Sequence, residues 1–504
     1  MYRPYKWIAL SCTTLGAIMS VLNGSTLMIA LPSLMKELGA SLETVVWILM
    51  SYMLAITVLV PSIGRIADMF GRKNLYVGGF AVFTLGSLVC GFARTGEQLL
   101  ALRMIQAVGG SLILANSTAI VTDAFPRGEL GQALGINSMV IAVGSILGPI
   151  LGGYLTTLGW RWIFWFNVPL GVLGTLWART QLREVVSLPE HQKFDWSGTI
   201  SFTLGLFSLL FALSLGPMMG WLHPLIGGAF VLALGLLALF VWWEGHTPQP
   251  MLDLSLFRNR LLAAAYGSIL LNGIARGAVT FLLIFYFHGV KGLNPVQAGI
   301  MLTPFALSMM VASPISGWLA DRHGSRELSS VGLFVSALGL VGLAHITAWT
   351  STTQLALWMA IMGLGSGMFN SPNTSAIMGA VMPERRGVAA GTRTMMNNTG
   401  AVVSMALGLA VTASSMTPQA MQSLFSGTME ASQATAGAGM TTAGAGIAVH
   451  EFIGGLHLAF WVSVGLSLIA AVISLMRGPA ATQPDATQRA AAQSVAAKQP
   501  ARSA

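Results

Sequence analysis

Apolar runs of about 20 residues, separated by short polar links, recur along the whole chain; each run predicts a helix able to cross about 30 Å of hydrocarbon. The runs fall at residues 7–33, 44–64, 74–93, 98–122, 132–157 and 161–180, then at 196–216 and 223–243. Six more follow at 261–287, 296–319, 328–348, 354–378, 388–413 and 455–476, which makes fourteen spans. The alternating segments of about ten residues that a transmembrane barrel needs are absent. The first run extends to about Leu34, past the length of a signal-peptide core, and reads as a retained span.

Composition sharpens this picture. Hydrophobic residues make up 54% of the 504 positions and charged residues only 9%, against about 25% charged in a soluble domain. The formal charge of +9 would raise nucleic acid as a partner in a soluble protein. Here its placement matters more than its sum. Links after even-numbered runs, together with the two termini, hold about 19 of the 26 Lys and Arg; the opposite links hold Lys36, Arg94, Arg161 and Lys291. Both termini are therefore expected on the cytoplasmic side. Cys12 and Cys90 fall inside apolar runs and read as small buried hydrophobes. The stretch 414–454, rich in Ala, Gly, Ser, Thr and Met, is expected to be a loosely ordered external loop, and 477–504 a disordered tail.

The chain repeats itself. "GRIADMFGRK" at 64–73 matches "GWLADRHGSR" at 317–326, and "GSLILANSTAIVTDAFP" at 110–126 matches "GMFNSPNTSAIMGAVMP" at 367–383. The offsets are nearly equal, and each copy lies at the same side of the membrane. The expected architecture is an all-α integral membrane protein of two parallel six-helix bundles, residues 1–193 and 251–476, with two extra helices between them in 194–250. Such halves place a cavity between them near the midplane and suit alternating access.

These motifs resemble the major facilitator superfamily, and in particular its fourteen-span drug:proton antiporter branch. The resemblance covers about residues 7–476. The loop signature after span 2 reads as Gly64, Asp68, Gly71, Arg72 and Lys73, with Asp321 and Arg322 in the second copy. The span-5 antiporter signature reads as Gly144, Gly148, Pro149, Gly152 and Gly153. "WRWIFWFNVPLG" at 160–171 and "LDLSLFRNR" at 252–260 resemble this branch specifically. The resemblance implies that the first signature is a latch holding one state of the cycle; a tight turn fixed by glycine is the alternative. Gly144, Gly148 and Gly152 share one helix face, so close packing and a movable, leak-tight contact explain them equally.

Charged residues inside spans are expensive and point to function. Arg103 occupies a position where the resemblance implies a part in proton transfer, with a structural arginine bonded to carbonyls and Gln106 as the alternative. Arg276 lies in the middle of span 9 and matches no motif, and Arg393 lies close enough to the cytoplasmic end of span 13 to snorkel. All seventeen acids fall in links, termini or span ends, Asp123 being the nearest to a membrane acid and the candidate proton carrier. In span 1 this branch usually carries an aspartate nine residues before a proline. Here Asn23 stands nine residues before Pro32. An amide keeps the size and bonds of the acid but takes up no proton near neutral pH. The expected cavity groups are then Asn23, Arg103, Asn116, Arg276 and Asn373, with Asn272, an inventory that tilts the ligand toward neutral or anionic compounds.

Enzyme signatures such as H-E-x-x-H or G-x-S-x-G are absent, as are metal-spaced Cys/His clusters and the phosphate loop of an ATP-driven pump. The expectation is a non-enzymatic secondary exporter of small, mostly apolar compounds in a bacterial-type inner membrane. It needs no cofactor or metal beyond a proton gradient. Its partners would be the substrate and the bilayer, not nucleic acid, acting as a monomer or with a periplasmic adaptor. A facilitator, or a differently coupled carrier of neutral or anionic metabolites, is the alternative that Asn23 raises.

Overall fold

A computed structural model describes residues 3–185, 193–293, 295–415 and 442–478. The chain is all-helical, with no strand among the described residues. In order the helices are α1 (Arg3–Leu38), α2 (Leu42–Phe70), α3 (Arg72–Cys90), α4 (Gly96–Ala124), α5 (Leu130–Leu158), a single turn α6 (Trp162–Trp165), α7 (Asn167–Gln181), α8 (Trp196–Met219) and α9 (Pro224–Glu244). The second part holds α10 (Arg260–Phe285), a short α11 (Pro295–Met301), α12 (Thr303–His323), α13 (Ser325–Leu343), α14 (Thr352–Ala380), α15 (Arg386–Ser415) and α16 (Thr442–Leu475). Ten of the described helices are long and apolar enough to cross a membrane by length and composition.

Local chemistry sets the boundaries. Ser41, Thr95 and Ser351 precede α2, α4 and α14, and each side chain accepts a bond from the backbone N–H three residues on. Between α2 and α3, and again between α12 and α13, one residue reverses the chain: Gly71 with φ 96° and Gly324 with φ 93°. A side chain is strained in that conformation, so both copies of the repeat need glycine there. The expected loop 414–454 is shorter at its end, because α16 already begins at Thr442; residues 416–441 and the tail from 479 lie outside the described residues.

Helices α1–α5 and α7 pack together, as do α10 and α12–α16, while α8 and α9 pack on each other and, through α8, on α2 and α15. The two halves meet along two seams, α5 against α12 and α2 against α15. Lipid offers helices no hydrophobic drive to associate, so close packing and hydrogen bonds must hold these seams. Glycines supply the closeness: Gly135 lies against Ser313 and Pro314, and Gly391 against Val60 and Pro61. The prolines sit inside α12 and α2 at matching places in the repeat. Phe202 and Phe240 of the central pair join Leu54 and Val58 of α2 and Val402 of α15 in one apolar cluster.

Candidate functional site

At one end of the molecule each seam closes on a carboxylate. Asp68, in the last turn of α2, accepts from Gly387 N at 2.8 Å and Val388 N at 2.9 Å, the first amides of α15. Asp321, in the last turn of α12, accepts from Gly131 N at 2.8 Å and Gln132 N at 2.9 Å, the first amides of α5. These amides have no intrahelical partner, and the helix dipole favours a negative charge beside them. One turn back, Gly64 lies against the Gly387 carbonyl and Gly317 against the Gly131 carbonyl, so closely that a Cβ on either would overlap the facing backbone. The signature motif and its repeat therefore build the same inter-half contact twice.

The surroundings differ. Arg72 donates to Asp68 Oδ1 at 2.6 Å, to Asp123 Oδ2 and to the Pro383 carbonyl. Asp123 also accepts from Arg386 at 2.8 Å. The side chains of Asp68, Arg72 and Asp123 are each more than nine-tenths buried. Around Asp321 the positions equivalent to Arg72 and Asp123 are Ser325 and Ala380. Support there comes from Ser371, which donates to the Gly131 carbonyl at 2.7 Å. Arg322 does not reach this contact: it is exposed and lies over the Trp318 ring at 4.0 Å. The amide of Lys73 donates to Glu184 at 3.0 Å, a contact within the first half.

Deeper in the first half lies a polar cluster. Arg103 Nη1 donates to Asn23 Oδ1 at 3.2 Å and to Gln106 Oε1 at 2.8 Å, and Arg103 Nε donates to the Ile48 carbonyl at 3.5 Å. Gln106 Nε2 donates to Asn23 Oδ1 at 3.2 Å and to Ser87 Oγ at 2.6 Å. The guanidinium stacks over Tyr52 at 4.2 Å. Asn23 and Arg103 are buried, and among the described residues Arg103 has no carboxylate within ion-pairing distance. An acid at 23 would give this cation a counter-charge; the amide gives it one shared acceptor. Asn23 Nδ2 and the Tyr52 hydroxyl lack hydrogen-bond partners.

The remaining expected residues are dispersed. Asn116 and Asn373 occupy equivalent places in α4 and α14 and are fully buried; Asn116 Nδ2 donates to Leu112 O in its own helix, and Asn373 Nδ2 to Ala265 O of α10. Asn272 is also buried. Arg276 is partly buried in α10, within electrostatic reach of Arg393, whose Nε donates to Thr374 at 2.8 Å. In α5, Gly144 faces Val21, Gly148 faces Ser25 and Gly152 faces Thr26, so this glycine stripe seats α1; Pro149 points instead to Gly299 of the other half, and Gly153 is half-buried. Asn23 thus sits on a helix clamped between α4 and α5. Tyr52, Ser87 and Arg386 belong to these constellations without any local sequence signal. Their roles come from helices distant in the chain.

Paired parallel half-bundles joined by matching carboxylate contacts define a multi-pass membrane carrier. The chain belongs to the Major Facilitator Superfamily, whose family model matches residues 13–405 and, in a second match, 265–503. It is 33% identical to a riboflavin transporter of Clostridioides difficile strain 630, over 80% of this chain and 87% of that protein. It is 31% identical to Multidrug resistance protein 3 of Bacillus subtilis strain 168, over 79% and 77%, and 29% identical to the tetracenomycin C resistance and export protein of Streptomyces glaucescens, over 77% and 72%. The fold matches the crystal structure of the human organic anion transporter TETRAN with a TM-score of 0.66, covering 94% of this chain and 100% of that one at 16% identity. The protein is a transporter of this superfamily, and neither family nor fold is that of an enzyme.

Proposed function

We propose that the protein is a secondary active exporter of small, mostly apolar compounds, of the fourteen-span drug:proton antiporter type, working by alternating access in a bacterial-type inner membrane with both termini in the cytoplasm. The observation that carries this reading is the paired latch. Four backbone amides and two carboxylates close one end of the interface, and they separate without unwinding a helix. That is what a gate between two rigid half-bundles requires. The positive-inside count supports a cytoplasmic position for this end, and in this reading the closed latch corresponds to a state open outward. Relatives named for multidrug resistance and export support the direction.

Proton antiport is the finer part of this reading. With Asn23 in span 1, Asp123, Arg103, Asp68 or a proton of the substrate would carry the coupling. When the halves are closed, Asp68 accepts from two amides of α15 and Asp123 from Arg386; opening takes these partners away, so the proton would bind then. A second reading, a facilitator or a carrier of neutral or anionic metabolites, is favoured by the Arg103 cluster, a buried cation that meets an amide where a carboxylate would neutralise it.

The test is transport in inverted vesicles with an imposed pH gradient, using one cationic and one anionic fluorescent dye, for the wild type and Asn23→Asp. Antiport predicts dye accumulation with movement of lumenal pH in step, in the wild type. Dye movement that ignores the gradient in the wild type and responds to it in Asn23→Asp would replace antiport with the second reading.

A further inference from the structure

The base of the two central helices holds a buried pair of acids that the transport reading leaves unused. Asp195 caps α8: its Oδ1 accepts from Gly198 N at 2.9 Å and from Trp243 Nε1 at 3.0 Å. Glu244 ends α9, and its Oε1 accepts from Leu252 N at 3.2 Å. Asp195 is 9% exposed and Glu244 5%. Asp195 Oδ2 and Glu244 Oε2 have no hydrogen-bond donor. Gly198 separates the two groups. A Cβ there would overlap Asp195 Oδ2 and stand 3.0 Å from Glu244 Oε1, which places the carboxylates within about 5 Å of each other.

An ionised carboxylate only accepts hydrogen bonds. Two of them side by side, away from water, repel each other and leave oxygens unsatisfied. A single bound proton removes both faults, since the protonated acid donates and the net charge falls by one. The charged groups facing the pair come from three neighbours. Arg65 of α2 is 8% exposed and lies within electrostatic reach of Glu244, Asp68 and Arg385. Among the described residues it has no ion pair within 4.0 Å. Arg385, in the turn before α15, is bound to Asp253, which follows α9. Just past the end of α9 lies the exposed His246, turned back onto the Trp242 carbonyl at 2.7 Å.

We propose that Asp195 and Glu244 form a proton site that biases the Asp68 latch through Arg65. Arg65 lies one helical turn before Asp68 and is within electrostatic reach of both Asp68 and Glu244. With the site empty, its negative charge draws Arg65 away from Asp68. With the site filled, Arg65 is left to Asp68 and reinforces the closed contact. The proton comes from the water at this end of the molecule and returns to it; one carboxylate O–H bond forms and breaks, and nothing else changes. The bias rests on reading the latch as a gate, whereas the proton site itself does not.

The experiment has two arms on the purified full-length protein in lipid nanodiscs. Infrared difference spectra are recorded from about pH 5 to 9. A protonated-carboxyl band is expected that vanishes in both Glu244→Gln and Asp195→Asn and persists when exposed Glu97 is changed to Gln. A spectrum in which no such band is lost overturns the site. Spin labels on Asn74→Cys and Met382→Cys, with Cys12 and Cys90 buried, then report the distance across the latch. The open population is expected to rise about threefold from acid to alkaline pH, and this rise is expected to disappear in Glu244→Gln and in Arg65→Gln, the latter keeping the infrared band. A rise of the same size in both variants overturns the coupling and leaves the gate itself intact.

Discussion

At Asp68 and at Asp321 the chain builds one backbone contact twice and surrounds it with different side chains. In both places a carboxylate takes two amides at a helix start, and a glycine one turn back lets two backbones touch. Around Asp68 the contact is wired into Arg72, Asp123 and Arg386. Around Asp321 it is backed by a hydroxyl, Ser371. The repeat supplies the geometry, and the side chains around it supply the strength. In the gate proposed above these are one stiff seam and one soft one, and Arg386–Asp123 is the ion pair of the stiff seam that joins the two halves.

The comparison breaks hardest at Arg72. Replacing it with glutamine leaves Asp68 and Asp123 buried without their shared cation, a loss of about 3–5 kcal/mol. Export is expected to fall to background and the detergent-solubilised protein to melt well below the wild type. Ser325→Gln, at the equivalent place in the other seam, is expected to change neither. Equal effects at the two positions would mean that the charged cluster contributes nothing to the gate.

Next come the carboxylates. Asp321→Asn keeps one acceptor oxygen, sets an amide donor against the other backbone N–H and removes the charge, a loss of about 1.5–3 kcal/mol. Asp68→Asn loses the same and the ion pair to Arg72 besides. Melting temperatures should fall in the order wild type, Asp321→Asn, Asp68→Asn, and dye export should follow. The reverse order would make the Asp321 seam the stronger.

The glycines sharpen the comparison from the other side, because the backbone contact is the part the two seams share. Gly64→Ala and Gly317→Ala each push a methyl into a facing carbonyl, an overpacking cost of about 1–3 kcal/mol paid only in the closed state. Both are expected to shift the spin-label distance across their own seam toward the open value by similar amounts. A shift at one seam alone would show that the second seam does not close by backbone contact.

Much of this was legible in the sequence. The frame around Asp68 and Asp321 could be read because a turn and a cap are local, and because the repeat prints them twice. The span 223–243 lies within one residue of α9 at either end for the same reason: an uninterrupted apolar run states its own length. What surrounds the latch was not legible. Arg386 looked like one more cytoplasmic charge in "PERRG", and only the packing of α15 onto α2 and α4 carries it to Asp123. Asn23 and Arg103 were both readable as misplaced polar groups, but their hydrogen bond spans 80 residues of chain and rests on how α1 lies against α4. The start of α16 at Thr442 was missed because "TAGAGIAVHEF" is too rich in glycine, threonine and alanine to read as part of a span.

The smallest expected effect concerns the turn that leads into α15. Asp253 bonds to Arg385 there, a tether that belongs to the charged seam. Burial would raise the Asp253 carboxyl, but bonds from Ser255 and from Arg385 outweigh it and hold the group below the usual carboxylate range. A carboxyl depressed in the folded state stabilises the fold above its unfolded value, about pH 4, and this contribution fades as pH falls through the lower folded value. Asp253→Asn should therefore lower the melting temperature slightly at neutral pH, and the gap from the wild type should close below about pH 4. The tether is partly exposed, so salt should narrow the gap as acid does. An acid-sensitive gap for Asp253→Asn that reaches the label distance across the Asp68 seam is the outcome expected of a turn that anchors this seam. No acid-sensitive gap would remove the tether from the Asp68 contact.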